Sequence, residues 1–199
     1  MNANAQTRAI NAVLSEHGKL SAIIQGMCHF SRLVGQPGTH MDLKVFRAML
    51  FYISEYPEKV HHPKEDEFLF RLVRSRSADI DTTLLALEEQ HQQGEAMVRE
   101  LEHSLLRLEF AGLPALPDFQ QQVERYAQLY LQHMRLEEEI VLPAAERLLS
   151  DADWIKIDAA FSTNVDPLDR HDTRGSFDRL YSMIVNITPA PYGLGDEVR

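Results

Sequence analysis

Cysteine and long apolar runs are nearly absent from the chain. Cys28 is the single cysteine among 199 residues, which excludes an internal disulfide and an all-cysteine metal site. The low cysteine content favours a reducing cytoplasm as the expected location. No run of about 18 apolar residues occurs, so no membrane-spanning helix is expected.

Positive charge is also in short supply. The chain has 20 Lys and Arg against 30 Asp and Glu, a formal net charge of −10. Nucleic acid and anionic membrane surfaces both require a basic patch, so neither is an expected partner. The opening "MNANAQTRAINAVLSEHGKL" is a polar lead-in to an amphipathic helix and does not have the pattern of a signal peptide.

Glycine and proline cluster between long periodic segments. The breaker stretches are "VGQPGTHMD" (34–42) and "AGLPALPD" (111–118). Apolar residues recur at helical spacing over four segments, at about 5–33, 42–74, 79–110 and 117–149. Long helices with short connections predict an all-α fold, an antiparallel up-down-up-down four-helix bundle over residues 1–150.

The remaining residues, 151–199, are predicted to form a short helical extension. "DADWIKIDAAF" (151–161) predicts a fifth helix and "FDRLYSMIVNI" (177–187) a sixth, with a polar loop between them. The extension carries enough apolar side chains to pack on the bundle or on the partner subunit of a homodimer.

Each predicted bundle helix interrupts its apolar stripe with a histidine. The interrupting residues are His17, His61, His91 and His133; Glu65 and Glu137 follow two of them by one turn, and Glu95 lies beside the third stripe. A lone histidine in such a stripe is usually a hydrogen-bonded core residue, and a lone His-x-x-x-Glu is usually an exposed ion pair. Four matching interruptions at similar heights instead indicate a shared site.

A cation explains this set of polar side chains best. Burying an unpaired carboxylate costs several kcal/mol, so two carboxylates among four imidazoles require something positive beside them. Imidazole and carboxylate without thiolate suit iron, manganese or zinc. The donors exceed what one tetrahedral ion needs, which favours a pair of ions bridged by the glutamates.

The neighbouring His61 and His62 are about 100° apart on a regular helix, so we expect only one of them to lead inward. His61 is the better candidate because Glu65 follows it by one turn. The other histidines are predicted to be surface or loop residues: His29, His40, His103 and His171.

Four stretches resemble the hemerythrin-like (HHE cation-binding) family. They are "EHGKL" (16–20), "HHPKEDEFLF" (61–70), "EQHQQGE" (89–95) and "HMRLEEEIVLP" (133–143), within a match over about 8–149. "DWIKIDAAFSTNVDPL" (153–168) and "PAPYGLG" (189–195) are similar to the C-terminal extension of a bacterial subgroup.

The resemblance implies a non-haem di-iron centre inside the bundle, with an oxo, hydroxo or water ligand between the ions. Zinc or manganese are possible substitutes for iron. The implied ligands are His17 and His61 on one ion, His91 and His133 on the other, and Glu65 and Glu137 as bridges.

Glu95 departs from the family pattern. Oxygen-carrying members have a fifth histidine at this position, and they end in His-x-x-x-x-Asp where this chain has His-x-x-x-Glu. As a ligand, Glu95 would stabilise the ferric state; otherwise one iron keeps an open position. The resemblance therefore implies a protein that senses, binds or reacts with O2, NO or peroxide, or that handles iron. The alternatives are a di-iron peroxidase or NO reductase, and a non-catalytic iron donor.

Overall fold

The computed structural model describes residues 4–38 and 42–164, and these residues form helices and no strand. The predicted all-α class is confirmed. Five long helices are present in this part of the chain: α1 (Ala5–Leu33), α2 (44–76), α3 (Asp81–Ala111), α4 (116–148) and α5 (Asp151–Phe161). A single turn of 3₁₀ helix, Leu113–Ala115, leads into α4.

Two of these helices contain wide, π-helical turns. In α2 the order is Lys44–Glu55, then the π segment Pro57–His61, then His62–Lys64, the π segment Glu65–Phe70, and Arg71–Arg76. In α4, Leu116–Leu136 is followed by the π segment Glu137–Val141 and by Leu142–Leu148.

Proline accompanies each wide turn. Pro57, Pro63 and Pro143 lie inside the helices, where a missing N–H removes one regular hydrogen bond. The backbone there uses the longer i→i+5 pattern, as in the bond from the His61 N–H to the Tyr56 carbonyl at 3.2 Å. Such turns change which residues face the bundle interior.

Neighbouring bundle helices run in opposite directions. Hydrogen bonds and ion pairs join the beginning of one helix to the end of its neighbour between α1 and α4, between α2 and α3, and between α3 and α4. They are Gln6–Glu146, Ser31–Gln120, Arg47–Glu109, Arg74–Glu88 and Ser104–Asp118.

The apolar core is divided by a polar layer. One cluster fills the end where α1 meets α2 and includes Ile24, Phe46 and Phe119. The second fills the opposite end and includes Val13, Phe70 and Trp154. The histidines lie between the clusters, so apolar side chains exclude water from both sides of them.

The fifth helix packs lengthwise on the bundle, mainly against α1. Its inner face buries Trp154, Ile157 and Phe161, and Arg8 of α1 forms an ion pair with Asp158. The predicted homodimer contact stays a prediction. The predicted sixth helix, His40 and His171 lie outside the described residues. In the described part, no helix has the length and apolarity to cross a membrane.

The start of α5 is fixed by a reciprocal cap. The Asp153 N–H donates to the Ser150 hydroxyl oxygen, while the carboxylate of Asp153 accepts from the Ser150 backbone N–H at 3.1 Å. The same carboxylate meets Arg76 at 2.6 Å and is buried. The hydrogen bonds from Ser150, helped by Arg76, lower the pKa of Asp153 to about 2.

Replacing this cap is expected to destabilise the protein in a pH-dependent way. Asp153→Ala should lower the free energy of unfolding by about 1–2 kcal/mol at pH 7. Because the pKa of Asp153 is depressed on folding, its contribution is present above about pH 4 and is lost as the pH falls towards 2. Urea denaturation at pH 7 and pH 3 measures both effects. Asp151→Ala, an exposed acid in the same turn, is the control, and an equal loss in both variants would contradict the cap.

Candidate metal centre

Five imidazoles from four helices meet in the polar layer. All of them are buried, as are the two carboxylates between them, Glu65 and Glu137, which have no exposed surface. The histidines are His17 on α1, His61 and His62 on α2, His91 on α3 and His133 on α4.

Glu65 lies between two groups of imidazoles. Its Oε1 is 3.1 Å from Nε2 of His61 and 3.6 Å from Nε2 of His17, and its Oε2 is 3.6 Å from Nε2 of His91. One carboxylate therefore offers a separate oxygen to each group, as a ligand bridging two ions must.

Glu137 has the same arrangement from the opposite side. Its Oε2 is 3.1 Å from Nε2 of His17, and its Oε1 is 3.3 Å from Nε2 of His133. Two potential ion sites follow, one beside His17 and His61 and the other beside the three remaining histidines. Both contain a set of buried donor atoms within 4.8 Å of one another.

Every imidazole turns its other nitrogen to an oxygen outside the centre. When Nδ1 donates to these oxygens and the imidazole is neutral, the lone pair of Nε2 is directed inward, which is the form that binds metal. The acceptors are Glu138 for His17, Glu16 for His61, Glu58 for His62, Asp66 for His91 and Gln90 for His133, at 2.5–3.3 Å.

The inward atoms require positive charge between them, which metal ions can provide. Nε2 of His17 and all four oxygens of Glu65 and Glu137 are buried without a hydrogen-bond donor. Nε2 of His91 lies 3.1 Å from Nε2 of His133, so with both Nδ1 atoms protonated two lone pairs face each other. Cations bound between these atoms would offset the cost of burying the carboxylates without donors and the repulsion between the two lone pairs.

Comparison with known proteins agrees with this geometry. Residues 8–145 match the model of the hemerythrin HHE cation-binding domain. The chain belongs to this family. No curated protein matches it closely enough to add a more specific assignment. The resemblance of the four motifs is thus confirmed, and the subgroup with a C-terminal extension stays a prediction.

The buried carboxylates of this hemerythrin-like centre favour positive charge on the imidazoles beside them. Burial lowers the pKa of His17 and His61, but Glu137 and Glu138 raise the pKa of His17 well above its usual range, and Glu65 and Glu16 raise that of His61 to about 9. A bound metal ion would take the place of these protons.

Burial, followed by the nearby His91, holds the pKa of His62 well below its usual range, so this imidazole stays neutral. Burial opposes ionisation of Glu137, but His133 and His17 outweigh it and hold its pKa well below the usual range. Burial raises the pKa of the outer residue Glu58 to about 7.

The expectation that only one of His61 and His62 faces inward is wrong. Both are buried to the same degree. The inward arc of a bundle helix exceeds 100°, and the π segment Pro57–His61 lies directly before His62. His61 therefore faces α1, while His62 faces α3 and α4 and stacks on His91 with ring centroids 4.3 Å apart.

Glu95 is not brought to the centre. Its side chain is 64% exposed and pairs with Arg99 at 2.6 Å. Since α3 is a regular helix here, Gly94 and not Glu95 continues the buried stripe from His91. His62, stacked on His91, supplies the fifth imidazole from α2 instead. The other six predicted site residues are placed together in the layer.

Sequence reasoning missed the outer partners, although their positions carry a signal. Asp66 and Glu138 directly follow the two central glutamates, and Glu16 and Gln90 directly precede His17 and His91. Each serves a histidine of a neighbouring helix, and such a pairing becomes visible only when the helices are packed. Of the minor histidines, His103 is exposed and His29 is half-buried.

Glu58 also joins the centre to a buried tyrosine. The Tyr130 hydroxyl donates to Oε1 of Glu58 at 2.6 Å, and the Tyr130 ring stacks on His62. Space for the phenol comes from Gly94, where a Cβ would lie 1.9 Å from the Tyr130 oxygen.

Gly94→Ala is therefore expected to disturb this arrangement. Alanine gains about 1 kcal/mol of helix propensity over glycine, but the clash with Tyr130 should outweigh it and give a net loss of about 1–3 kcal/mol. Gly18→Ala is the matched control, because a Cβ there meets nothing within 4 Å. Thermal unfolding of the metal-free proteins measures both, and equal stabilisation by the two substitutions would contradict the close packing.

Proposed function

We propose that the protein binds a pair of iron ions and uses them to bind, sense or react with O2, NO or peroxide. His17 and His61 would hold one ion, and His62, His91 and His133 the other. The observation that supports this most directly is that Glu65 and Glu137 each direct one oxygen to each group of imidazoles.

Iron suits the donor set and the unequal number of ligands. Nitrogen and carboxylate donors suit iron, zinc or manganese, and the match to the hemerythrin family favours iron. An ion at His62, His91 and His133 would have three imidazoles and two carboxylate oxygens available, whereas an ion at His17 and His61 would have one imidazole fewer. The second ion would keep room for a small ligand. Paired iron supplies one-electron redox chemistry and affinity for diatomic molecules, and the chain supplies burial and fixed donors.

Metal stoichiometry tests the paired centre. The untagged protein reconstituted with ferrous ion under nitrogen should retain two irons per chain after gel filtration. Glu65→Ala should retain fewer than two, because it removes one oxygen from each ion. Glu95→Ala, which changes an exposed carboxylate in the neighbouring helix, should still retain two. Fewer than one iron in the wild type would refute the proposal.

Reactivity separates the possible ligands. Optical spectra of the reduced iron-loaded protein, recorded before and after O2, NO or peroxide, should change within mixing time for at least one of them. A spectrum restored by removing the gas indicates reversible binding, and a permanent change indicates oxidation. No response to any of the three, together with ready transfer of iron to a chelator, would favour iron handling instead.

An oxidoreductase is a second candidate because a group that exchanges a proton near pH 7 lies directly behind an inward imidazole. Glu58, whose pKa is raised to about 7, accepts hydrogen bonds from the Tyr130 hydroxyl and from Nδ1 of His62. Tyr130→Phe removes one of these donors and keeps the ring. If the protein turns over peroxide or NO, this variant should slow turnover about tenfold or more at unchanged iron content. An equal rate would exclude a role for the Tyr130 hydroxyl.

A further inference from the structure

The end of α5 contacts an outer partner of the metal centre. The side-chain amide of Asn164 donates from Nδ2 to Glu16, at 2.9 Å from Oε1 and 3.2 Å from Oε2. Oε2 of Glu16 in turn accepts from Nδ1 of His61 at 2.5 Å. Asn164 thus lies two hydrogen bonds from an inward imidazole.

Lys64 fixes the orientation of this amide. Its ammonium donates to the Ala160 carbonyl at 2.9 Å and to the Thr163 hydroxyl at 2.8 Å, and it contacts Oδ1 of Asn164. A cation at these positions matches the negative end of the α5 dipole. With its oxygen held by Lys64, Asn164 presents only its NH2 to Glu16.

Phe161 covers the same histidine. Its buried ring meets the His61 ring edge-on, with centroids 6.1 Å apart. The last turn of α5 therefore supplies both an apolar cover and a hydrogen-bond donor to the His17 and His61 side of the centre.

Glu16 needs this donor, whereas its counterpart Gln90 has less need of one. Glu16 is a mostly buried carboxylate, and His61 provides one hydrogen bond to it. An ionised carboxylate accepts at both oxygens, while the neutral amide of Gln90 is satisfied more easily. Without Asn164, Glu16 would lose the donor that contacts both of its oxygens and would keep only His61 and Tyr56 as partners, which should loosen its hold on His61.

We infer that Asn164 is a positioning residue, through which the end of α5 retains the ion held by His17 and His61. Asn164 acts through Glu16, and Lys64 and Phe161 hold it in place. This inference rests on the proposed pair of ions. It makes residues 151–164 part of the metal centre, in addition to their role as a cover for the bundle.

Release of iron to a chelator tests the inference. The full-length, ferrous-loaded protein is mixed anaerobically with an excess of a colour-forming iron chelator. Asn164→Ala should release one of its two ions about tenfold faster than the wild type, in line with the effect of outer-partner changes on metal affinity. The other ion should leave at the wild-type rate. Asn164→Asp, which sets a second carboxylate against Glu16, should have a larger effect.

The controls separate positioning from stability. Ile155→Ala changes a 60% exposed side chain on the same helix and should leave both release rates unchanged. In a His17→Ala background, Asn164→Ala should not affect the remaining ion. Faster release of both ions by the same factor, or no change in either, would overturn the inference.

A second readout does not depend on metal. In the metal-free protein, the Nδ1 proton of His61 should give a far-downfield NMR signal because it is bonded to a carboxylate. Asn164→Ala should shift that signal upfield and leave the signal of His91 in place. An unchanged His61 signal would overturn the link even if two ions bind. Failure of the paired centre itself would show separately, as fewer than one iron per chain in the wild type.

Discussion

The structure depends on one buried layer of imidazoles and carboxylates. Five imidazole nitrogens and four carboxylate oxygens point at one another between two apolar clusters, so water cannot neutralise them. Such a layer is tolerable only with cations at its centre. The outer hydrogen bonds, the wide turns of α2 and α4, and the cover provided by α5 all serve to keep these atoms in place.

The α1–α2 pair and the α3–α4 pair use the same hydrogen-bond pattern around the centre, with a few exceptions. In each pair, the residue before the first histidine bonds to a histidine of the second helix. The acid after the central glutamate bonds to a histidine of the other pair. The exceptions are three equivalent positions at which the two helix pairs carry different residues: Glu16 and Gln90, His62 and Met134, and Glu58 and Tyr130. All three exceptions border the centre. Their effect is to place a third imidazole beside His91 and His133, and to place behind His61 a carboxylate that accepts hydrogen bonds from both His61 and Asn164.

Features of the fold and the site could be predicted when their sequence signal lay within a single helix. Helical spacing placed all five helices to within about two residues, and four broken stripes placed six of the central residues together. His62 was missed because its direction depends on the π segment before it. Glu95 was placed wrongly because it stands where oxygen-carrying family members have a histidine. The helical spacing of the buried residues of α3 selects Gly94 instead. The bonds between helices, such as Glu16 to His61, required the packed structure.

The asymmetry also bears on where chemistry would occur. At the His62 side, Tyr130 and Glu58 fill the space next to the imidazoles, and Gly94 admits the phenol. At the His17 side, the ligands are fewer and the cover is a helix end attached by polar contacts. In the proposed pair of ions, the open position would therefore lie on the His17 side, where the protein is held by hydrogen bonds. The group that exchanges a proton near pH 7, Glu58, lies behind His62 on the tightly packed side.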